Sequence, residues 1–190
     1  MKIKINREYV EFFSRFCSKD ECRRFLMGIR FDIVEKSLCA TDGHRLAYIP
    51  EKAFEIDSFE MWKDSELIIQ FSSAALRKIS KKVHELELEI DSPRVKFCDQ
   101  VIGCIIDGTY PPFKHLFPKE NSEESISEIG INPNLLKDFY VNKSTMINGT
   151  YCEGVILTFY GAEKAIGVYI PAMPEVKGLI MPMRISKMRD

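Results

Sequence analysis

The chain has 190 residues, 45% of them hydrophobic and 29% charged, a composition that supports a real core without disulfide or metal staples and excludes both a disordered chain and a large enzyme. Lys plus Arg number 27 against 28 for Asp plus Glu, a net charge of −1, which excludes a uniformly basic nucleic-acid binder; any such role requires locally concentrated charge. The longest uninterrupted apolar run, near 101–106, is far short of a membrane span, and Met1-Lys-Ile-Lys-Ile-Asn6 alternates like a strand instead of opening a signal peptide. The expectation is a cytoplasmic protein with no membrane partner.

In chain order, a strand ends at Ile5 and Asn6 is placed to cap a helix whose apolar side is Tyr9, Val10, Phe12, Phe13, Phe16 and Cys17. Arg15, Lys19, Arg23 and Arg24 supply its basic contribution, diluted by Glu8, Glu11, Asp20 and Glu21. Alternating or apolar runs at 28–34, 37–40 and 46–49 predict strands. The stretch 51–66 carries six acids against Lys52 and Lys63, a local charge of −4, and reads as an exposed linker.

The pattern then restarts. Phe71 ends a strand, Ser72 caps, and Leu76, Ile79 and Val83 fall on one side of a helical wheel over 73–84, with Arg77, Lys78, Lys81 and Lys82 on the opposite arc. No acid interrupts that segment, so four like charges repel each other by a few tenths of a kcal/mol per neighbouring pair, with an external anion as the natural compensation. Strands are expected at 86–90, 95–98 and 101–106, with a turn at Asp91-Ser-Pro93. A second linker, 119–128, has four glutamates against Lys119, a local charge of −3.

A third copy starts at Ile131, with Asn132 as cap and Pro133 at the first helical position. Its helix sets Leu135, Leu136 and Phe139 inside and Lys137 and Lys143 outside, and strands follow at 154–160, 165–170 and 177–183. Starts at 5, 71 and 131 give spacings of 66 and 60 residues, a repeat of a supersecondary unit of strand, helix and about three strands. The fold class is therefore α+β with three repeated units, and side-by-side helices would form a basic surface suited to phosphate backbone rather than to base edges.

Three motifs carry a family resemblance. Ala40-Thr-Asp-Gly-His-Arg-Leu-Ala47 resembles the signature of the bacterial DNA polymerase III beta subunit, the replicative sliding clamp. Tyr110-Pro-Pro-Phe-Lys-His-Leu-Phe-Pro118 is similar to that family's aromatic-proline stretch at the end of its middle domain, and Ile180-Met-Pro-Met-Arg-Ile185 to its carboxyl terminus. The resemblance implies the DNA-clamp fold, with antiparallel sheets outside and helices on one face lining a ring. It implies a middle-domain counterpart at 1–118, in halves of about 1–64 and 65–118, a linker at 119–126, and at 127–190 the second half of the last domain. The family's first domain and the first half of its third have no counterpart. Twelve halves make the family's ring; reproduced from three per chain they require four chains, with a different closure open if a half pairs with another chain's half.

The resemblance gives the basic faces a partner, duplex DNA, with Arg77, Lys78, Lys81 and Lys82 as leading contacts, then Arg15, Lys19, Arg24, Lys137 and Lys143. It also implies a pocket for short peptides of DNA polymerases and clamp loaders, formed by Leu26, Thr41, Gly43, His44, Arg45, Leu46, Pro111, His115, Leu116, Met181, Pro182, Met183 and Arg184. Apolar members would form an adaptable groove while His44, Arg45 and Arg184 orient polar groups of the peptide. His115 stands where the family commonly has arginine, and residues 186–190 extend past the family's usual end, close to the groove.

A catalytic reading of Asp42, His44 and Arg45, with Ser37 or Cys39 nearby, fails on geometry: neighbours one or two apart on a strand or turn diverge, and no phosphate loop or metal spacing supports them. No enzyme activity, cofactor or metal is expected, and Asp42-Gly43 reads as a tight turn. The six cysteines read as reduced and mostly buried. The rival reading is a clamp-fold interaction protein that competes for or regulates a clamp or its clients without encircling DNA.

Overall fold

The computed structural model describes residues 1–57, 65–118, 128–141, 145–147 and 150–183. The chain divides into two compact units, 1–42 with 48–110 and 43–47 with 111–190. The sequence reading assigned 43–47 and 111–118 to the first domain, whereas here they belong to the second unit; the linker 119–126 lies outside the described residues.

In the first unit, β1 (Lys2–Asn6) leads directly into α1 (Arg7–Phe13). The Asn6 carboxamide oxygen accepts the Glu8 amide at 2.9 Å, satisfying one of the helix's unpaired first-turn donors. After 3-10 turns at Ser14–Phe16 and Glu21–Leu26 come β2 (Ile29–Asp32), β3 (Ser37–Thr41), β4 (Arg45–Ile49), whose first three residues belong to the second unit, and β5 (Phe54–Ile56). The second half repeats the order: β6 (Glu66–Phe71), α2 (Ser73–Lys78), β7 (Glu85–Asp91), β8 (Arg94–Phe97) and β9 (Gln100–Ile106). Ser72 caps α2 through its hydroxyl, which accepts the Ala75 amide at 3.3 Å.

The antiparallel strands of this unit run in the order β3-β2-β6-β9-β8-β7-β1-β5. Two pairings join its halves: Ile3 and Ile5 of β1 face Leu88 and Leu86 of β7, and Ile29 and Phe31 of β2 face Ile69 and Leu67 of β6. Side chains alternate across the β1–β7 pair, so the isoleucines and leucines are buried while Lys2 lies on the wet face, 2.6 Å from Glu87. Phe12, Phe13, Phe16 and Phe31 complete the core; Phe12 meets Phe13 edge-on at 5.7 Å.

Two expectations change. The acidic stretch after residue 50 is not wholly an exposed linker, because Ala53 and Phe54 are buried and β5 pairs with β1, with Phe54 5.2 Å from the Phe31 ring; residues 58–64 lie outside the described residues. The second helix ends at Lys78 instead of continuing toward His84. Ile79 is extended, and the Ser80 hydroxyl takes the Lys82 amide at 3.4 Å, a local bond that competes with helical pairing.

The second unit contains 3-10 helix Lys114–Leu116, then α3 (Pro133–Leu136) continued as a 3-10 turn over Lys137–Phe139. Asn132 caps α3, accepting the Asn134 amide at 2.9 Å. A hairpin of β10 (Thr145–Ile147) and β11 (Thr150–Cys152) precedes the antiparallel run β12 (Ile156–Thr158), β13 (Ile166–Tyr169) and β14 (Lys177–Ile180). Phe139 is fully buried, and Ile166, Val168 and Ile180 of the same unit are buried as well. Gly178 is required there: a methyl group would overlap the Phe139 ring and stand 2.9 Å from Val168 Cβ.

Candidate functional site

The leading cations are built on the end of α2 and the turn that follows. Leu76 and Ile79 are buried and fasten the segment to the core, which leaves Arg77, Lys78, Lys81 and Lys82 exposed. Arg77 and Lys78 occupy the last helical turn, where positive charge complements the helix end, and Lys81 and Lys82 sit in the turn beyond it. None of the four has an ion-pair partner among the described residues. Other lysines of this unit do: Lys2 contacts Glu87 at 2.6 Å and Lys96 contacts Asp91 at 3.0 Å. Positive charge at 77–82 is therefore locally concentrated, with no ion pair offsetting it among the described residues.

Arg7 holds this turn in place, a role its sequence position did not reveal. Its side chain is largely buried; Nε donates to Glu11 at 2.7 Å and Nη1 to the Ser80 carbonyl at 2.5 Å. Its backbone amide donates to the His84 carbonyl at 2.9 Å. One residue at the start of α1 thus grips both ends of the segment that carries Lys81 and Lys82.

The secondary cations are dispersed. Arg15 lies exposed in the 3-10 turn after α1, 5.7 Å over the Phe12 ring, Lys19 is exposed between turns, and Arg24 is exposed in the 3-10 helix. They do not share the single helix on which the sequence reading placed them, because α1 stops at Phe13. Lys137 is exposed on the second unit and contacts the Asn134 side chain at 3.4 Å; Lys143 lies outside the described residues.

Of the expected peptide-site residues, Leu26 and Thr41 belong to the first unit and are buried. The rest that are described belong to the second. There the Met181 amide donates to the His44 carbonyl at 2.8 Å, joining the Gly43–Ala47 segment to the 180–183 segment. Gly43 turns the chain at φ 90°, a conformation suited to glycine. His44 and His115 are exposed, Pro111 and Pro182 half-buried, and Leu46 buried. Leu116, Met181 and Met183 present exposed apolar surface at 42%, 41% and 36%. Arg184 lies outside the described residues.

Arg45 departs from expectation. Its guanidinium is mostly buried, ion-paired with Asp138, and Nη1 also donates to the Leu135 carbonyl at 3.3 Å. Lys, Arg and His groups stabilise helix ends by meeting the last carbonyls, and Arg45 does this for α3. It anchors the signature segment to the helix, so the described geometry gives it a structural task before any ligand is present. Asp138, its partner 93 positions away, carries no local sequence signal.

The thiols are split. Cys39 is buried and Cys17 half-buried, but Cys22, Cys98 and Cys104 are exposed, contrary to the expectation of mostly buried cysteines. Burial pushes the Cys17 thiol up to about 12, with the Asp42 carboxylate adding to the effect, and raises Cys39 as well against the opposing influence of Arg30. Among the described residues no cluster of His, Cys, Asp and Glu could hold a metal ion, and no helix is long and apolar enough to cross a membrane.

Comparison with known proteins joins these observations. No sequence-family profile matches the chain. Over 154 residues it is 28% identical to the beta sliding clamp of Borreliella burgdorferi, covering 70% of this chain and 36% of that protein. Over 134 residues it is 31% identical to the beta sliding clamp of Rickettsia felis, covering 64% and 32%. The chain spans about a third of the length of these curated relatives. In structure it matches the DNA polymerase III beta chain of Streptococcus pneumoniae with a TM-score of 0.63 at 16% identity, covering 97% of this chain and 65% of that one. It matches the Helicobacter pylori beta clamp bound to a DNA ligase peptide with a TM-score of 0.59 at 16% identity, covering 96% and 65%. With the signature at 40–47 and the repeated strand-helix-strands units, the chain is similar over part of its length to bacterial beta sliding clamps and has the clamp fold.

Proposed function

We propose that this chain is a non-enzymatic, cytoplasmic processivity factor: several copies, four by the count of halves, form a ring around duplex DNA and tether a polymerase or another client. The observation that carries the reading is the group Arg77, Lys78, Lys81 and Lys82, without an ion-pair partner among the described residues and exposed together at the end of α2 and its following turn. Lysine and arginine on mobile stems contact phosphates without reading bases, and such contacts suit a protein held by topology, since strong site-specific ones would arrest sliding. Arg15, Lys19, Arg24, Lys137 and Lys143 extend the basic surface. The exposed Leu116, Met181 and Met183, beside His44 and His115, are the surface proposed for polymerase or clamp-loader peptides; the solved Helicobacter pylori clamp, a structural neighbour, holds a DNA ligase peptide.

The test is retention on circular DNA. Chain assembled on nicked circles at low salt and then challenged with salt should remain bound, and cutting the circle should release it; equal retention on circular and linear DNA contradicts encirclement. A second reading is a clamp-fold protein that competes for a clamp or its clients without encircling DNA. That reading predicts binding to a full-length clamp or to client peptides that is insensitive to reversing the charges at 77–82.

A further inference from the structure

The two halves of the first unit complete each other reciprocally. The first strand of one half, β1, covers the edge of β7, and the first strand of the other, β6, covers the edge of β2. In each case the covered strand is the one that follows its half's helix. The second unit holds one such half. Past the β10–β11 hairpin, which has no counterpart in the second half of the first unit, its β12-β13-β14 run corresponds to β7-β8-β9, and the bridge between Gly130 and Met183 corresponds to the pairing of β6 with β9, in which Phe71 faces Gly103. What it lacks, among the described residues, is a strand on the open edge of β12, which pairs only with β13.

Among the described residues that edge is unprotected. Residues 154–161, Gly-Val-Ile-Leu-Thr-Phe-Tyr-Gly, contain no charge. Ile156 is 51% exposed, opposite Tyr169 at 43%, and Phe159 is also 43% exposed. The corresponding face of the β1–β7 pair is wet and charged, with Lys2 between Glu87 and Glu89. Solvent-facing edge strands are ordinarily blunted by charge, proline or bulges, and one that is uncharged and apolar is a template for pairing.

We infer that the second unit is completed by the second unit of another copy of this chain, with β12 of each copy taking segment 128–131 of the other around a two-fold axis. A second copy is the occupant because the geometry already exists in the first unit: two equivalent halves exchanging first strands. Ile129 and Ile131, alternating about Gly130, supply the apolar side chains that Ile3 and Ile5 supply in β1. The two-fold makes the exchange reciprocal, each copy's 128–131 lying on the other's β12, and because 154–161 carry no charge Glu128 meets no like charge there. The dimer contains six halves, so two dimers reach the twelve of the ring. The inference concerns assembly alone and stands whether or not the assembled chains enclose DNA.

Light scattering on the full chain should give twice the 22.0 kDa chain mass, or a multiple of that dimer. The double variant Ile156→Lys, Tyr169→Lys, with both substitutions at exposed positions, should halve the mass of the wild-type assembly with an unchanged far-ultraviolet circular dichroism spectrum. In the otherwise wild-type chain, benzoylphenylalanine in place of Ile156 should cross-link to residues 128–131 of another copy. A strict monomer at high concentration overturns the inference. So does a multimer whose cross-links from position 156 fall on β5 or elsewhere in the first unit.

Discussion

Arg7→Met removes a guanidinium that is 10% exposed while keeping most of its apolar stem. Two interactions are lost. The contact with Glu11 joins neighbours four apart, and the Glu11 carboxylate is 42% exposed, so solvent screening limits it to a few tenths of a kcal/mol. The bond to the Ser80 carbonyl at 2.5 Å is charge-assisted and part-buried, and a charged hydrogen bond of this kind contributes about 1.5–3 kcal/mol. The expected loss is about 2–3 kcal/mol, read as a fall in the urea midpoint of about 1 M for an m-value of order 2 kcal/mol/M. Glu11→Gln, which touches only the weaker contact, should cost a few tenths. Amide exchange at Val83, whose N–H bonds the Ser80 carbonyl at 3.0 Å, should quicken in Arg7→Met and not in Glu11→Gln. Equal effects of the two substitutions, or a loss below about 0.5 kcal/mol for Arg7→Met, would refute the claim that Arg7 positions the 80–84 turn.

In the second unit, Phe139→Ala empties a fully buried ring site and should cost about 3–5 kcal/mol, measured by thermal unfolding, while Gly178→Ala should cost about 1–3 kcal/mol by forcing a methyl group against that ring. Cys17 has a folded pKa of about 12 against an ordinary value of 9.0, so the unfolded chain loses this proton first; stability is full below about pH 9, falls as pH rises toward 12, and Cys17→Ala should flatten that fall in denaturation curves taken across the window. With Ellman's reagent, Cys22, Cys98 and Cys104 should react in a fast phase and Cys39 only on unfolding; rapid reaction of Cys39 would contradict its burial.

What could be read in the sequence was what local chemistry decides. Asn6, Ser72 and Asn132 cap their helices because their side-chain oxygens reach first-turn amides, and that signal is contained in four consecutive residues. The strands after each helix were legible from alternation, as in Leu86, Leu88 and Ile90, all buried. The length of α2 was not legible: its wheel pattern continues to Val83, but Ser80 offers the backbone a competing bond and Arg7, 73 positions away, captures the Ser80 carbonyl. A strand hidden in acidic surroundings, β5, was missed because Phe54 finds its partner in Phe31, a tertiary contact that outweighs the charge around it. Arg45 resembled a ligand-orienting residue in its motif, and only the fold reveals Asp138 beside it. The resemblance pointed toward sliding clamps; the ion pairs and hydrogen bonds of this chain distinguish cations that are already engaged from those without an ion-pair partner among the described residues.

That distinction is tested most directly by the salt dependence of DNA binding. Replacing Arg77, Lys78, Lys81 and Lys82 with glutamine removes four exposed cations with no ion-pair partner among the described residues, and each phosphate contact contributes about 0.9 to the slope of log K against log salt. If all four meet phosphates, the slope should flatten by about 3.6 and affinity at low salt should fall for every sequence alike. A slope unchanged from the wild-type chain, with the fold intact, would contradict the assignment of this surface to DNA.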